Sequence, residues 1–101
     1  MLQTSQEYAK QLGAFIARLR LHLGLSQEEL SDRCNIHPTY MTRIETGKVN
    51  ISADKVRILA YHLGLTVAQF YALFEDQQAL KRWESQQTPK PKKPRRSSRI
   101  T

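Results

Sequence analysis

The stretch Leu23–Lys48, LGLSQEELSDRCNIHPTYMTRIETGK, decides how this chain folds. It divides into two short helical segments around a tight turn. Ser26 precedes the first, with Glu29 three residues on. At that spacing a hydroxyl and a carboxylate satisfy each other's backbone N–H groups at a helix start. A helix over Gln27 to about Cys34 follows, with Leu25 and Leu30 placed to pack across its entry. Asn35 stands where the chain must reverse, and a left-handed backbone suits Gly best and Asn next. Pro38 then opens a second helix, at the position where its missing N–H costs nothing. That helix runs to about Thr46 and is stopped by Gly47, with Ile36, Met41 and Ile44 facing a core.

Working outward, the same punctuation recurs. Thr4 and Glu7 form another reciprocal cap, and Gly24 ends a helix over Ser5–Leu23 whose stripe is Leu12, Phe15, Ile16, Leu19 and Leu23. Ser52 and Gly64 bracket a helix over Ala53–Leu63. Thr66 and Gln69 start a fifth, with Val67, Phe70, Tyr71 and Phe74 on one side. No period-2 alternation runs far enough for a strand. The expected fold is all-α, a compact five-helix bundle over residues 1–75 containing the paired helices above. Leu80 and Trp83 fall in 76–87, a continuation of the fifth helix or a short helical extension. From Thr88 the composition changes to TPKPKKPRRSSRIT, with three prolines and six cations, which is expected to be a disordered basic tail.

Composition bounds the possibilities. One domain fits 101 residues, and 40% hydrophobic residues supply a small core. No run approaches the ~18 apolar residues of a membrane span, and MLQTSQEYAK lacks a secretory pattern. With the single Cys34 unable to form an internal disulfide, a reduced, cytoplasmic protein is expected. The net charge is +7 but unevenly placed: residues 1–87 hold 10 Lys/Arg against 9 Asp/Glu, and residues 88–101 hold 6 Lys/Arg and no acid. Any nucleic-acid reading of the folded part therefore rests on where its charges sit.

Pro38, Thr39, Thr42 and Arg43 form one stripe beside the buried one, at i, i+1, i+4 and i+5. Arg43 can donate two parallel bonds to guanine, and the threonines offer hydroxyl and methyl groups. This is chemistry for a helix lying in the major groove of double-stranded DNA.

Residues 12–74 resemble the lambda-repressor/Cro helix-turn-helix family, often called the XRE family. The matching pieces are IARLRLHLGL, SQEEL, CNIH, TYMTRIETGK and ISADKVRILAYHLGLT, in the family's order and spacing. NIHPTYMTRIETGK…NIS is especially similar to restriction–modification controller proteins. The resemblance implies that Pro38, Thr39, Thr42 and Arg43 face base edges and that Gln27 bonds a phosphate while bracing the recognition helix. It implies an ion pair between Arg20 and Glu45, and backbone contacts at Thr46 and Lys48. Tyr40 is expected to pack with its hydroxyl at the DNA edge, and His37 to cap the recognition helix and touch phosphate. Pro38 stands where many members carry a polar base-reader, so its contact would be apolar. Ser31 stands where Ala is usual, so its hydroxyl needs a partner.

Each sharp reading has a plain rival. Arg43 on an amphipathic helix is ordinarily a solvated charge, and the aromatic stripe of the fifth helix is first a core face. Phe70, Tyr71, Phe74, Leu80 and Trp83 offer more aromatic surface than a five-helix core needs, so a homodimer through this region is expected. Such a dimer would bind a palindromic operator as a repressor or controller, its recognition helices ~34 Å apart. His22, His37 and His62 fit no ligand spacing, so no metal or cofactor is expected, and Cys34 reads as a buried filler. No phosphate loop, carboxylate pair or nucleophile–base arrangement suggests an enzyme. The rival function is a protein-interaction module, an antitoxin or coactivator-like bridge. Binding is expected to displace RNA polymerase or to recruit it.

Overall fold

The computed structural model describes residues 3–87, all of whose regular structure is helical; the basic segment 88–101 lies outside the described residues. Six helices follow one another: α1 (Ser5–His22), α2 (Gln27–Cys34), α3 (Pro38–Glu45), α4 (Ala53–His62), α5 (Val67–Glu75) and α6 (Gln77–Gln86). The reciprocal caps form at Thr4/Glu7, Ser26/Glu29 and Thr66/Gln69, and Ser52 caps α4 by accepting from Lys55 N–H. Asn35 adopts the left-handed conformation at φ 55°, ending α2 and turning the chain into α3. Helices α1, α3 and α4 each end one residue earlier than their spacing suggests, because Leu23, Thr46 and Leu63 act as C-caps.

The core is a single cluster running from Leu12, Ile16 and Leu19 of α1 through Leu30, Met41, Ile44 and Leu59 to Phe70 and Leu80. Helix α1 packs on α3, α2 on α3 and α4, α4 on α5, and α5 on α6. Two glycines let α1 approach the end of α3. A Cβ on Gly13 would collide with the backbone oxygen of Ile44 and lie 2.8 Å from that of Glu45. Gly47, at φ 74°, passes the Lys10 backbone so closely that a Cβ there would sit 2.6 Å from Lys10 Cα. Sequence periodicity shows neither approach, since a glycine in a helix reads only as a weak helix former.

The C-terminal region takes the second of the two expected forms, a short sixth helix. Asp76 starts it by accepting from the N–H groups of Gln78 and Ala79, so it is a separate element and not a continuation of α5. It folds back along α1. Leu80 enters the core at 3% exposure, Trp83 stacks on His22 with centroids 5.4 Å apart, and Arg18 makes a two-pronged ion pair with Glu84 at 2.7 and 2.8 Å. Phe70 is wholly buried, edge-on to Phe15 at 5.2 Å, and Phe74 lies against Phe15 and Tyr8 at 5.1 and 5.5 Å. Phe70 and Leu80 are therefore core residues and unavailable to a dimer contact. The surplus aromatic surface counted along the sequence is taken up within the protomer, because α6 supplies the layer that covers it. Tyr71, Phe74 and Trp83 remain half-buried, and in α5 Leu73 is buried while Val67 is exposed. No described helix is long and apolar enough to cross a membrane.

Gly13→Ala is expected to lower stability by about 1–3 kcal/mol, because the added methyl meets backbone that cannot rotate away; urea unfolding followed by circular dichroism checks this. A second expectation concerns acid. The hydrogen bonds from Arg18 hold the Glu84 carboxyl below the usual carboxylate range. A depressed carboxylate contributes stability that is present above its unfolded value of about 4.3 and is lost as pH falls through the folded one. The emission of Trp83, the only tryptophan, should shift to the red in that acid window as α6 loosens. Glu84→Gln should show the shift already at neutral pH, and an acid profile identical to the parent's would mean that the Arg18–Glu84 pair does not hold α6.

Candidate nucleic-acid interface

Helix α3 is eight residues long, too short to hold its shape alone. Its rigidity comes from both faces of its attachment. Met41 and Ile44 are buried at 0% and 2% exposure and anchor the inner stripe. Pro38, Thr39, Thr42 and Arg43 are all exposed on the opposite side. The structure thus brings the four expected base-facing residues onto one uncovered face. Arg43 makes no side-chain hydrogen bond or ion pair among the described residues, and Lys48 just beyond the helix is exposed as well.

At the helix start, His37 Nδ1 accepts from the Thr39 N–H at 3.1 Å. That cap requires Nδ1 to be unprotonated, so the ring's hydrogen sits on Nε2. Glu28 and Asp32 border the same groove as His37 and Pro38. Tyr40 is half-buried against the core.

The far end of α3 is held by charge. Arg20 of α1 is buried; its Nε and Nη2 donate to Glu45 at 2.8 and 3.1 Å, and its Nη1 donates to the Leu25 carbonyl at 2.8 Å. One side chain therefore joins α1, the entry to α2 and the last residue of α3. Gln27 extends the arrangement: its Nε2 donates to Glu45 at 2.9 Å and its Oε1 accepts from the Thr42 hydroxyl at 2.7 Å. Gln27 keeps one amide hydrogen for a phosphate. Its links to Thr42 and Glu45 span 15 and 18 residues, and no periodicity in a single sequence pairs side chains so far apart.

Thr46 caps α3 in the free chain. Its hydroxyl donates to the Thr42 carbonyl at 2.8 Å and its N–H is bonded to the same oxygen at 3.0 Å. Both bonds close the last turn of α3. Ser31, buried at 1% exposure, has no hydrogen-bond partner for its hydroxyl among the described residues, contrary to the need read from the sequence. Cys34 is buried, and burial pushes its thiol up to about 11, which leaves almost no thiolate at neutral pH.

A family model described as a helix-turn-helix domain matches residues 11–73. Among curated proteins, the chain is 35% identical over 54 residues to the control protein C.BamHI of Bacillus amyloliquefaciens, covering 52% of this chain and 67% of that one. It is 35% identical over 66 residues to an uncharacterized HTH-type transcriptional regulator of Acanthamoeba polyphaga mimivirus, covering 62% of this chain but only 29% of that protein. A solved structure of the hypothetical transcription factor NHTF from Neisseria superposes with a TM-score of 0.63 at 30% identity, covering 80% of this chain and 91% of the other. The clp gene regulator ClgR from Corynebacterium glutamicum shares the fold at a TM-score of 0.63 and 23% identity, over 76% and 82% of the two chains.

Glu45→Ala is expected to cost about 3–5 kcal/mol, since it strands the buried Arg20 guanidinium. The measurement is the urea midpoint, and a loss below about 1 kcal/mol would mean that Arg20 finds water as easily as it finds Glu45.

Proposed function

The chain belongs to the helix-turn-helix family of DNA-binding transcriptional regulators, and from that premise we propose that α3 enters the major groove with Thr39, Thr42 and Arg43 toward base edges and Pro38 in apolar contact. The observation that carries this reading is the uncovered outer stripe of a helix fixed to the core at both ends. Arg43 is the side chain for guanine, through paired donors to O6 and N7. Lys48 and the free amide hydrogen of Gln27 are suited to the flanking phosphates, which position the helix and carry no sequence information.

The regulator acts by occupying DNA, not by catalysing a reaction, and works in the cytoplasm. A homodimer on a palindromic operator, its recognition helices ~34 Å apart, would match the two-fold symmetry that such sites have. With Phe70 and Leu80 buried, the dimer contact is left to Tyr71, Phe74 and Trp83 at the edges of α5 and α6, together with polar neighbours. The likeness to the control protein of Bacillus amyloliquefaciens favours a controller over a dedicated repressor.

Footprinting of the purified chain on DNA upstream of its own gene tests the reading. Protection of paired inverted repeats is expected. Arg43→Ala should cost about 1–3 kcal/mol of discrimination at one base pair per half-site. Lys48→Ala should weaken all sequences alike and reduce the salt slope by about one. Absence of protection at moderate salt, with the helical circular dichroism intact, would overturn the assignment.

A further inference from the structure

Thr42 lies at the centre of the outer face of α3, and its hydroxyl proton is already committed. The reason begins at Glu45. Its carboxylate, paired with Arg20, can only accept hydrogen bonds. The Gln27 amide meets it at 2.9 Å, so that end of the amide must be the NH2 group; the reverse orientation would set carbonyl oxygen against carboxylate. The other end of Gln27, its carbonyl oxygen, then faces Thr42 at 2.7 Å. Two acceptors cannot share that distance without a hydrogen, so Thr42 must donate. Its other near neighbour, the Pro38 carbonyl at 3.1 Å, is also an acceptor. A hydroxyl has one proton, and both protein atoms beside this one draw it inward.

We infer that Thr42 presents to DNA a lone pair and a methyl group but no donor, and that Gln27, set by the Arg20–Glu45 pair, is the positioning residue that fixes this polarity. The inference rests on the reading that α3 lies in the major groove. A threonine free to rotate can serve as donor or acceptor and so tolerates either base edge. This one is restricted. In the major groove an acceptor meets the exocyclic amino groups of adenine and cytosine, and a methyl group packs on the thymine methyl. Guanine presents only acceptors there and lacks the methyl. On the contacted strand Thr42 therefore favours adenine, cytosine or thymine and disfavours guanine. Specificity at this base is set partly by buried charges that never touch DNA.

The test is selection from a random double-stranded library by the full chain, sequenced to give base preferences at every operator position. Thr42→Val keeps the shape and loses the acceptor; Thr42→Ser keeps the acceptor and loses the methyl. The operator column that these variants alter should disfavour guanine with the parent protein. In that column Val should lose adenine and cytosine by about 2- to 10-fold while keeping thymine, the effect of one hydrogen bond, and Ser should do the reverse. Gln27→Met removes the nearer acceptor together with the phosphate donor; besides a loss common to all sequences it should raise the relative acceptance of guanine in that column alone, a change that loss of a phosphate contact or a merely structural role would not produce. Guanine as the preferred base there, or identical behaviour of Val and Ser, overturns the assigned polarity. Weakening by Gln27→Met that leaves the base preferences of that column unchanged overturns the positioning role. If the parent enriches no sequence at all, the major-groove reading fails and the inference falls with it.

Discussion

The contact on which the interface depends is the buried ion pair between Arg20 and Glu45. Isolated from its context it is a poor source of stability, because two desolvated charges recover little more than they cost in hydration. Its value is geometric. The guanidinium fork points its donors in fixed directions, and here they end on two different elements, the last residue of α3 and the carbonyl of Leu25 at the entry to α2. Any rotation of α3 about its own axis would break the pair and leave a buried charge. The carboxylate also sits at the end of a helix where the backbone dipole is negative, an unfavourable place for an anion. Arg20 offsets that cost, so the two residues make sense only together.

Close backbone contact reinforces the same joint. With no Cβ at Gly13, α1 lies directly against the carbonyls of Ile44 and Glu45, and Gly47 lets the chain leaving α3 pass the backbone of Lys10. The C-terminal end of α3 is thus held by charge on one side and by backbone sterics on the other. Its N-terminal end is held more lightly, through the His37 cap and the Asn35 turn. Arg43 lies near the firmly held end, where the two-pronged base contact proposed for it would demand the finest placement.

What the sequence made legible was what local spacing controls. Caps such as Ser26 with Glu29, the left-handed Asn35 and the proline at the first position of α3 act over three or four residues, and each can be read without knowing the fold. The exposed face of α3 followed from the places of Met41 and Ile44. Leu80 and Trp83 marked a further helical segment, but the start of α6 at Asp76 was not read from the sequence. Burial of Phe70 and Leu80 depends on a helix folding back on α1, which is a tertiary event that periodicity does not encode. The Gln27 bridge and the Gly13 approach are of the same kind. Each joins residues far apart in the chain and leaves no local trace.

The charge distribution separates two tasks that DNA-binding proteins must divide. Over residues 1–87 the cations exceed the acids by only one, so the folded part exerts little long-range attraction on a polyanion. Binding to arbitrary sequence scales with the number of phosphates neutralised, and few exposed cations flank α3. A weakly attracted domain with a rigid, polarity-restricted reading face gains discrimination in proportion, since the specific contacts are set against a low background. The six cations of residues 88–101 lie outside that face in the sequence. On the proposed reading, the Arg20–Glu45–Gln27–Thr42 arrangement that would set selectivity is separate in the sequence from the segment richest in cations.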